Sequence, residues 1–224
     1  MASAVTLFPP WQFDNWKRVD DSVRGGASIS YLTSWQDPNG HQTGASFHGH
    51  LDITVLGGAG FASQKFEFDK PFEPGKVDTG KSCIRLSIVP ISHSSPNTPS
   101  DFVVTLKTQP PPPRSQPKPR SQLVYEASFT LSSAPEIVLP LDTFVPTYRG
   151  REVKRGDPHW RPFDPQRIYE IGLMCRSNFG KQSGDFELVV SRIDIVCTPS
   201  STRWRRTMNR IRKWLCLSSY FIEE

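Results

Sequence analysis

Apolar and polar residues alternate with a period of two along most of this chain, which places every second side chain on one face of an extended strand. Residues 47–55 (F-H-G-H-L-D-I-T-V) set Phe47, Leu51, Ile53 and Val55 on one side, and His48, His50, Asp52 and Thr54 on the other. That pattern predicts a half-buried strand. Similar runs lie at 28–33, 60–68, 82–89, 101–107, 122–131, 136–141, 167–175 and 185–197, each rich in Val, Ile, Phe or Tyr and bounded by turn-forming residues. Nine strands with no helical period between them predict an all-β sandwich rather than a parallel α/β sheet. The 21 prolines and 15 glycines in 224 residues supply the turns and argue against a helical bundle.

Two segments depart from the alternation. Residues 108–121 (T-Q-P-P-P-P-R-S-Q-P-K-P-R-S) cannot join a sheet interior, because proline lacks the ladder N–H, and they predict an extended polyproline-type loop. That loop is either a tolerated insertion or a ligand for an SH3- or WW-type partner. From Pro199 the period becomes helical. Trp204, Met208, Ile211 and Leu215 fall on one narrow stripe, Trp214 borders it, and six basic residues occupy the flanks and the opposite face. Such a helix suits an anionic membrane surface, with Cys216 open to palmitoylation, or docks on the protein's own sandwich. The chain therefore divides into a domain at 1–198, with the Pro-rich loop inside it, and a basic tail at 199–224.

Charge is unevenly placed. The net charge is +5, yet 107–120 and 199–224 each carry +4, so the remaining chain stands at −3. A mildly acidic body argues against nucleic acid as a partner. No apolar run approaches a spanning helix, and residues 1–16 show neither a secretory signal nor an Arg-rich presequence. Cys83, Cys175, Cys197 and Cys216 have no C-x-x-C spacing, so reduced thiols are expected rather than a zinc site or a disulfide framework.

Candidate chemistry is sparse. Residues 53–63 (I-T-V-L-G-G-A-G-F-A-S) resemble a glycine-rich phosphate loop, but Ser63 replaces the third glycine and a strand pattern, not a helix, follows. The glycines predict a tight turn between two antiparallel strands, and no cofactor is expected. His48 and His50, with Asp52 on the same strand face, form a partial metal set, and no further ligands stand at a fixed spacing. Asp20 and Asp21 are adjacent carboxylates just before Gly25-Gly26, and they predict turn-forming and hydrogen-bonding roles. Trp11, Trp35 and Trp160 are the candidates for a sugar-stacking platform.

Several segments in fixed order carry a resemblance. They are Trp16-x-x-x-Asp20-Asp21-x-Val23-Arg24-Gly25-Gly26-x-Ser28-x-Ser30, then Phe47-x-Gly49-x-Leu51, then Gly57-Gly58-x-Gly60-Phe61-Ala62-Ser63. Later follow Tyr148-Arg149-Gly150-Arg151, Ile168-x-x-Ile171-Gly172-Leu173 and the closing Gly184-x-Phe186-x-Leu188-x-x-x-x-Ile193. Over residues 11–198 the chain resembles the complex I intermediate-associated protein 30 family, assembly factors of respiratory NADH:ubiquinone oxidoreductase. The resemblance implies a galactose-binding-like jelly roll and a chaperone-like role without catalysis. It implies unassembled complex I subunits or assembly intermediates as partners. It also implies mitochondrial residence, although no presequence is legible ahead of Trp16, which leaves the cytoplasm as the alternative. A sugar-binding module and a cytosolic scaffold are the rival readings of the same fold. Arg24 stands where the family usually has Met, and Arg149 and Arg151 suit a carboxylate clamp or bonds to backbone carbonyls at the sandwich edge.

Overall fold

A computed structural model describes residues 3–41, 43–73, 78–91, 98–112 and 121–198. Thirteen strands run through them: β1 (Ser3–Phe8), β2 (Trp16–Arg18), β3 (Ile29–Gln36), β4 (Thr43–Leu51), β5 (Phe61–Phe72), β6 (Cys83–Ile88) and β7 (Asp101–Lys107), followed by β8 (Leu123–Thr130), β9 (Glu136–Pro140), β10 (Val145–Tyr148), β11 (Arg151–Glu152), β12 (Ile168–Arg176) and β13 (Gly184–Cys197). They form two antiparallel sheets. The first has the order β3-β4-β13-β6-β9, with β1 also paired to β13, and the second has the order β11-β10-β8-β7-β12-β5-β2. The helical residues described are single 3-10 turns.

The alternation explains the sandwich. Phe102, Val104 and Leu106 of β7 and Ile171, Leu173 and Cys175 of β12 are buried on the inner face of the second sheet. Phe47 and Leu51 of β4 and Phe186 and Leu188 of β13 answer them from the first sheet. Phe47, Phe102 and Phe186 meet in the middle with ring centroids 5.1–6.3 Å apart. Each such side chain contributes about 1.5–3 kcal/mol on burial. A register shift after Val190 keeps Ile193 and Ile195 on the inner face of the 14-residue β13.

Each of the nine expected runs contains a strand, with several boundaries moved: β4 begins at Thr43, β3 runs on to Gln36 and β5 to Phe72. The 47–55 run ends at Leu51, because the Asp52 carboxylate accepts the Thr54 and Val55 amides at 3.0 and 3.3 Å and turns the chain. Val55 is consequently exposed. Gly57 and Gly58, at φ 61° and 90°, do form a tight turn. It leads from β4 in one sheet to β5 in the other, so the flanking strands are not a paired hairpin. β1, β2, β10 and β11 were not legible. Three of them have four residues or fewer, and β1 is exposed along half its length. They form because existing edges offer unpaired backbone groups. The central part of the Pro-rich loop (113–120) and the tail (199–224, with Trp204, Met208, Ile211, Trp214 and Leu215) lie outside the described residues.

Candidate functional site

Three of the recurring segments meet at one buried node. Asp20 and Asp21 lie between β2 and β3 and are 2% and 0% exposed. The Asp20 carboxylate accepts the Ser30 hydroxyl (2.6 Å), the Ser63 amide (2.8 Å) and the Ser30 amide (2.9 Å), with Arg18 Nε 3.6 Å away. The Asp21 carboxylate accepts the Ser28 hydroxyl (2.6 Å), the Ser28 amide (3.0 Å) and the Phe61 amide (3.1 Å). Ser28 and Ser30 lead into or lie on β3 of the first sheet, while Phe61 and Ser63 lie on β5 of the second. Two adjacent aspartates thereby tie the sheets together along one edge of the sandwich. Burial pushes the Asp20 carboxyl above the usual aspartate range, partly offset by the Ser30, Ser63 and Arg18 donors.

The glycines around the node are there for close approach. A Cβ on Gly26 would overlap the Asp21 carboxylate, and one on Gly60 would overlap the Asp52 carbonyl. Gly25 closes the 3-10 turn Asp21–Arg24 at φ 84°. Gly49 lies opposite Ser30 on β4, and Gly58 is the second residue of the Gly57-Gly58 turn. Trp16 seals the neighbouring end of the core, donating from Nε1 to the Trp11 carbonyl at 2.8 Å and packing on Phe8 and Phe66. Gln64 belongs to the node although no motif contains it. It is buried and donates to the Ser30 carbonyl at 3.0 Å. Its one sequence signal is a polar residue at an inward position of β5.

Arg24 brings in a fourth segment. Its guanidinium lies 5.7 Å from the Phe61 ring centroid, and its Nη2 donates to the Arg149 carbonyl at 3.3 Å. Arg149 and Gly150, at φ 55° and 75°, make the two-residue turn between β10 and β11. Arg149 Nε donates to the Ser121 hydroxyl at 3.1 Å, and Arg151 is exposed. The backbone carbonyl at this edge is thus bonded by Arg24 rather than by Arg149. Gly172 is not part of the cluster. It sits mid-strand in β12, packed against the Thr105 side chain.

The outer face of the first sheet carries a shallow groove of about 710 Å³. Tyr31 and His48 stack there with centroids 5.6 Å apart, Ser46 donates to Glu187 at 2.7 Å, and His50 Nδ1 pairs with Asp185 at 2.7 Å. Trp35 lines the groove and is half-buried. Trp11 is buried, which removes it as a sugar platform, and Trp160 lies under the Arg155 guanidinium. Asp52 is held by its own turn beyond the end of β4. Among the described residues no three His, Cys, Asp or Glu side chains are grouped to hold a metal.

The outer face of the second sheet is an ion-pair ladder. Lys17 and Lys65 reach Glu67 at 2.8 and 2.7 Å, and Lys65 and Lys107 reach Glu170 at 3.0 and 2.8 Å. The hydrogen bonds from Lys17 and Lys65 hold the Glu67 carboxyl down to about 2.

A sequence model of the Complex I intermediate-associated protein 30 (CIA30) family matches residues 6–190. The chain belongs to this family. The matched stretch contains the aspartate node, the Gly57-Gly58 turn and the Arg149-Gly150 turn. An uncharacterized protein of Schizosaccharomyces pombe is 36% identical over 194 residues, covering 82% of this chain and 78% of its own. Among solved structures, an exo-β-agarase superposes with a TM-score of 0.41 and 11% identity. It covers 89% of this chain, which spans about a quarter (26%) of the agarase chain. A superposition that loose bears on neither fold details nor function.

Proposed function

We propose that the protein is a non-enzymatic, chaperone-like assembly factor that binds unassembled subunits or intermediates of respiratory complex I in the mitochondrion. Family membership supports an assembly-related role, and a galactose-binding-like jelly roll suits a chain that passes repeatedly between two sheets. The observation that carries the non-enzymatic part is the aspartate node. The paired carboxylates are the arrangement here closest to an acid/base pair, yet their oxygens are engaged by donors of their own chain and closed to solvent. A raised aspartate pKa often marks a functional site, but desolvation within a structural tie accounts for it here. Deleting the gene tests the role. Native gels should then show less mature complex I and more of its subassemblies, restored by the wild-type chain. An unchanged complex I profile would refute it.

The groove on the first sheet supports a second reading, carbohydrate binding. Tyr31 and Trp35 provide aromatic surface beside Asp185 and Glu187, the combination that sugar recognition uses. Titration with a panel of mono- and oligosaccharides separates the readings. Saturable binding lost in Trp35→Ala favours the sugar module, and no binding favours the protein-binding role.

A further inference from the structure

The Tyr148–Arg149 corner holds a cleft that the assembly reading does not use. A cleft of about 400 Å³ opens between the β10–β11 turn and the loop at 157–162, lined by Ser121, Tyr148, Arg149, His159 and Arg161 among others. Among the described residues no carboxylate lines it. The walls are built rather than loosely draped. The Tyr125 hydroxyl, within donating distance of the Arg161 and Pro162 carbonyls at 3.2 and 3.0 Å, ties the loop to β8. Asp157 accepts the His159 amide at 2.7 Å, and the Trp160 amide closes onto the Asp157 carbonyl at 3.0 Å. His159 stacks on Tyr148 with centroids 4.1 Å apart.

The donors left over are the informative part. Arg149 engages Ser121 through Nε and its guanidinium lies 5.5 Å from the Tyr148 ring centroid, which leaves both of its Nη groups without a hydrogen-bond acceptor among the described residues. Among the described residues Arg161 engages the Pro158 and Trp160 carbonyls through Nη1, which leaves Nη2 and Nε. Asp157 takes His159 Nδ1 at 3.1 Å, so the other ring nitrogen remains. Arg149 is also fixed from behind, because Arg24 grips its carbonyl and the turn sets its φ at 55°. Two guanidiniums beside an imidazole and a phenol, with no lining carboxylate among the described residues to neutralise them, form a donor set for an oxyanion.

We propose that this cleft binds an oxyanion, a carboxylate or a phosphate group, gripped by Arg149 and Arg161 beside the Tyr148–His159 stack. The proposal stands independently of the assembly role. Titrating the full chain with inorganic phosphate and with glutarate, by calorimetry or amide chemical shifts, tests it and identifies the source of the anion. Saturable binding of phosphate alone assigns a phosphate site, and binding of glutarate alone assigns a carboxylate site. Arg149→Asn keeps a residue that tolerates the left-handed turn, and Arg161→Gln removes the second charge. Each should weaken binding tenfold or more, while Arg151→Gln, in the same hairpin but outside the lining, should leave it unchanged. Melting temperatures identify any variant that fails to fold, and the remaining arginine variant then decides. No saturable binding of either anion, or binding that survives both substitutions, overturns the proposal.

Discussion

Replacing Asp20 with alanine should destabilise the protein more than any exposed charge change. The substitution removes the acceptor of the Ser30 hydroxyl, the Ser30 amide and the Ser63 amide. The hydroxyl retains an alternative, the Ser63 carbonyl 3.1 Å away. The two buried amides lose their carboxylate acceptor, and an unsatisfied buried donor costs about 1–3 kcal/mol. With the lost sheet-to-sheet tie, the expected loss is about 3–5 kcal/mol. At about 2–4 °C per kcal/mol for a domain of this size, that corresponds to a melting temperature lower by roughly 6–20 °C. Asp14, exposed in the 3-10 turn Phe13–Asn15, is the control, and its alanine variant should change stability by less than about 0.5 kcal/mol. Urea titration followed by far-UV circular dichroism measures both. A loss below about 1 kcal/mol for Asp20→Ala would show that the node does not hold the sheets together, and the case for a purely structural carboxylate pair would fall with it.

Other outcomes follow from the same geometry. The Glu67 carboxyl is held to about 2 against an ordinary 4.5, so its contribution is present above pH 4.5 and is lost as the pH falls toward 2. Because Glu67 is about one-third exposed (34%), that contribution is at most about 1 kcal/mol, and a pH series of urea melts should show Glu67→Gln flattening the acid limb. Cys175 is fully buried and burial pushes its thiol well above the usual range, so it should resist iodoacetamide in the native protein and react only on unfolding, as read by peptide mass spectrometry. For the basic tail at 199–224 we propose contact with an anionic membrane. Truncation after Thr198 should abolish pelleting with anionic liposomes and leave the melting temperature unchanged, whereas a lowered melting temperature without any pelleting would favour docking on the sandwich.

The long strands were legible because burial on one face writes a period of two into β4, β7, β8, β12 and β13. Short strands carry too few residues to show a period. The three residues of β2 and the two of β11 are strands only because β5 and β10 lie beside them. The aspartate node was half legible. Asp20 and Asp21 carry the composition of a turn, but their partners Ser28, Ser30, Phe61 and Ser63 are up to 43 residues away, and only the fold brings them together. Gln64 escaped notice because one polar residue in a strand pattern has no local consequence. Arg149 was visible as part of a recurring segment, yet its meeting with Arg24 spans 125 positions and depends on the packing of two turns. The Asp52 turn went unseen for the opposite reason. The apolar spacing of Ile53 and Val55 continues the strand period on paper, while one carboxylate overrides it locally.

Affinity purification of the full-length chain from its native cells, with subcellular fractionation of the same lysate, tests the central claim most directly. The expected result is a mitochondrial pool in which unassembled or partly assembled complex I subunits co-purify after brief cross-linking, in preference to the finished complex. A purely cytosolic pool with unrelated partners, or recovery without any complex I subunit, would contradict it.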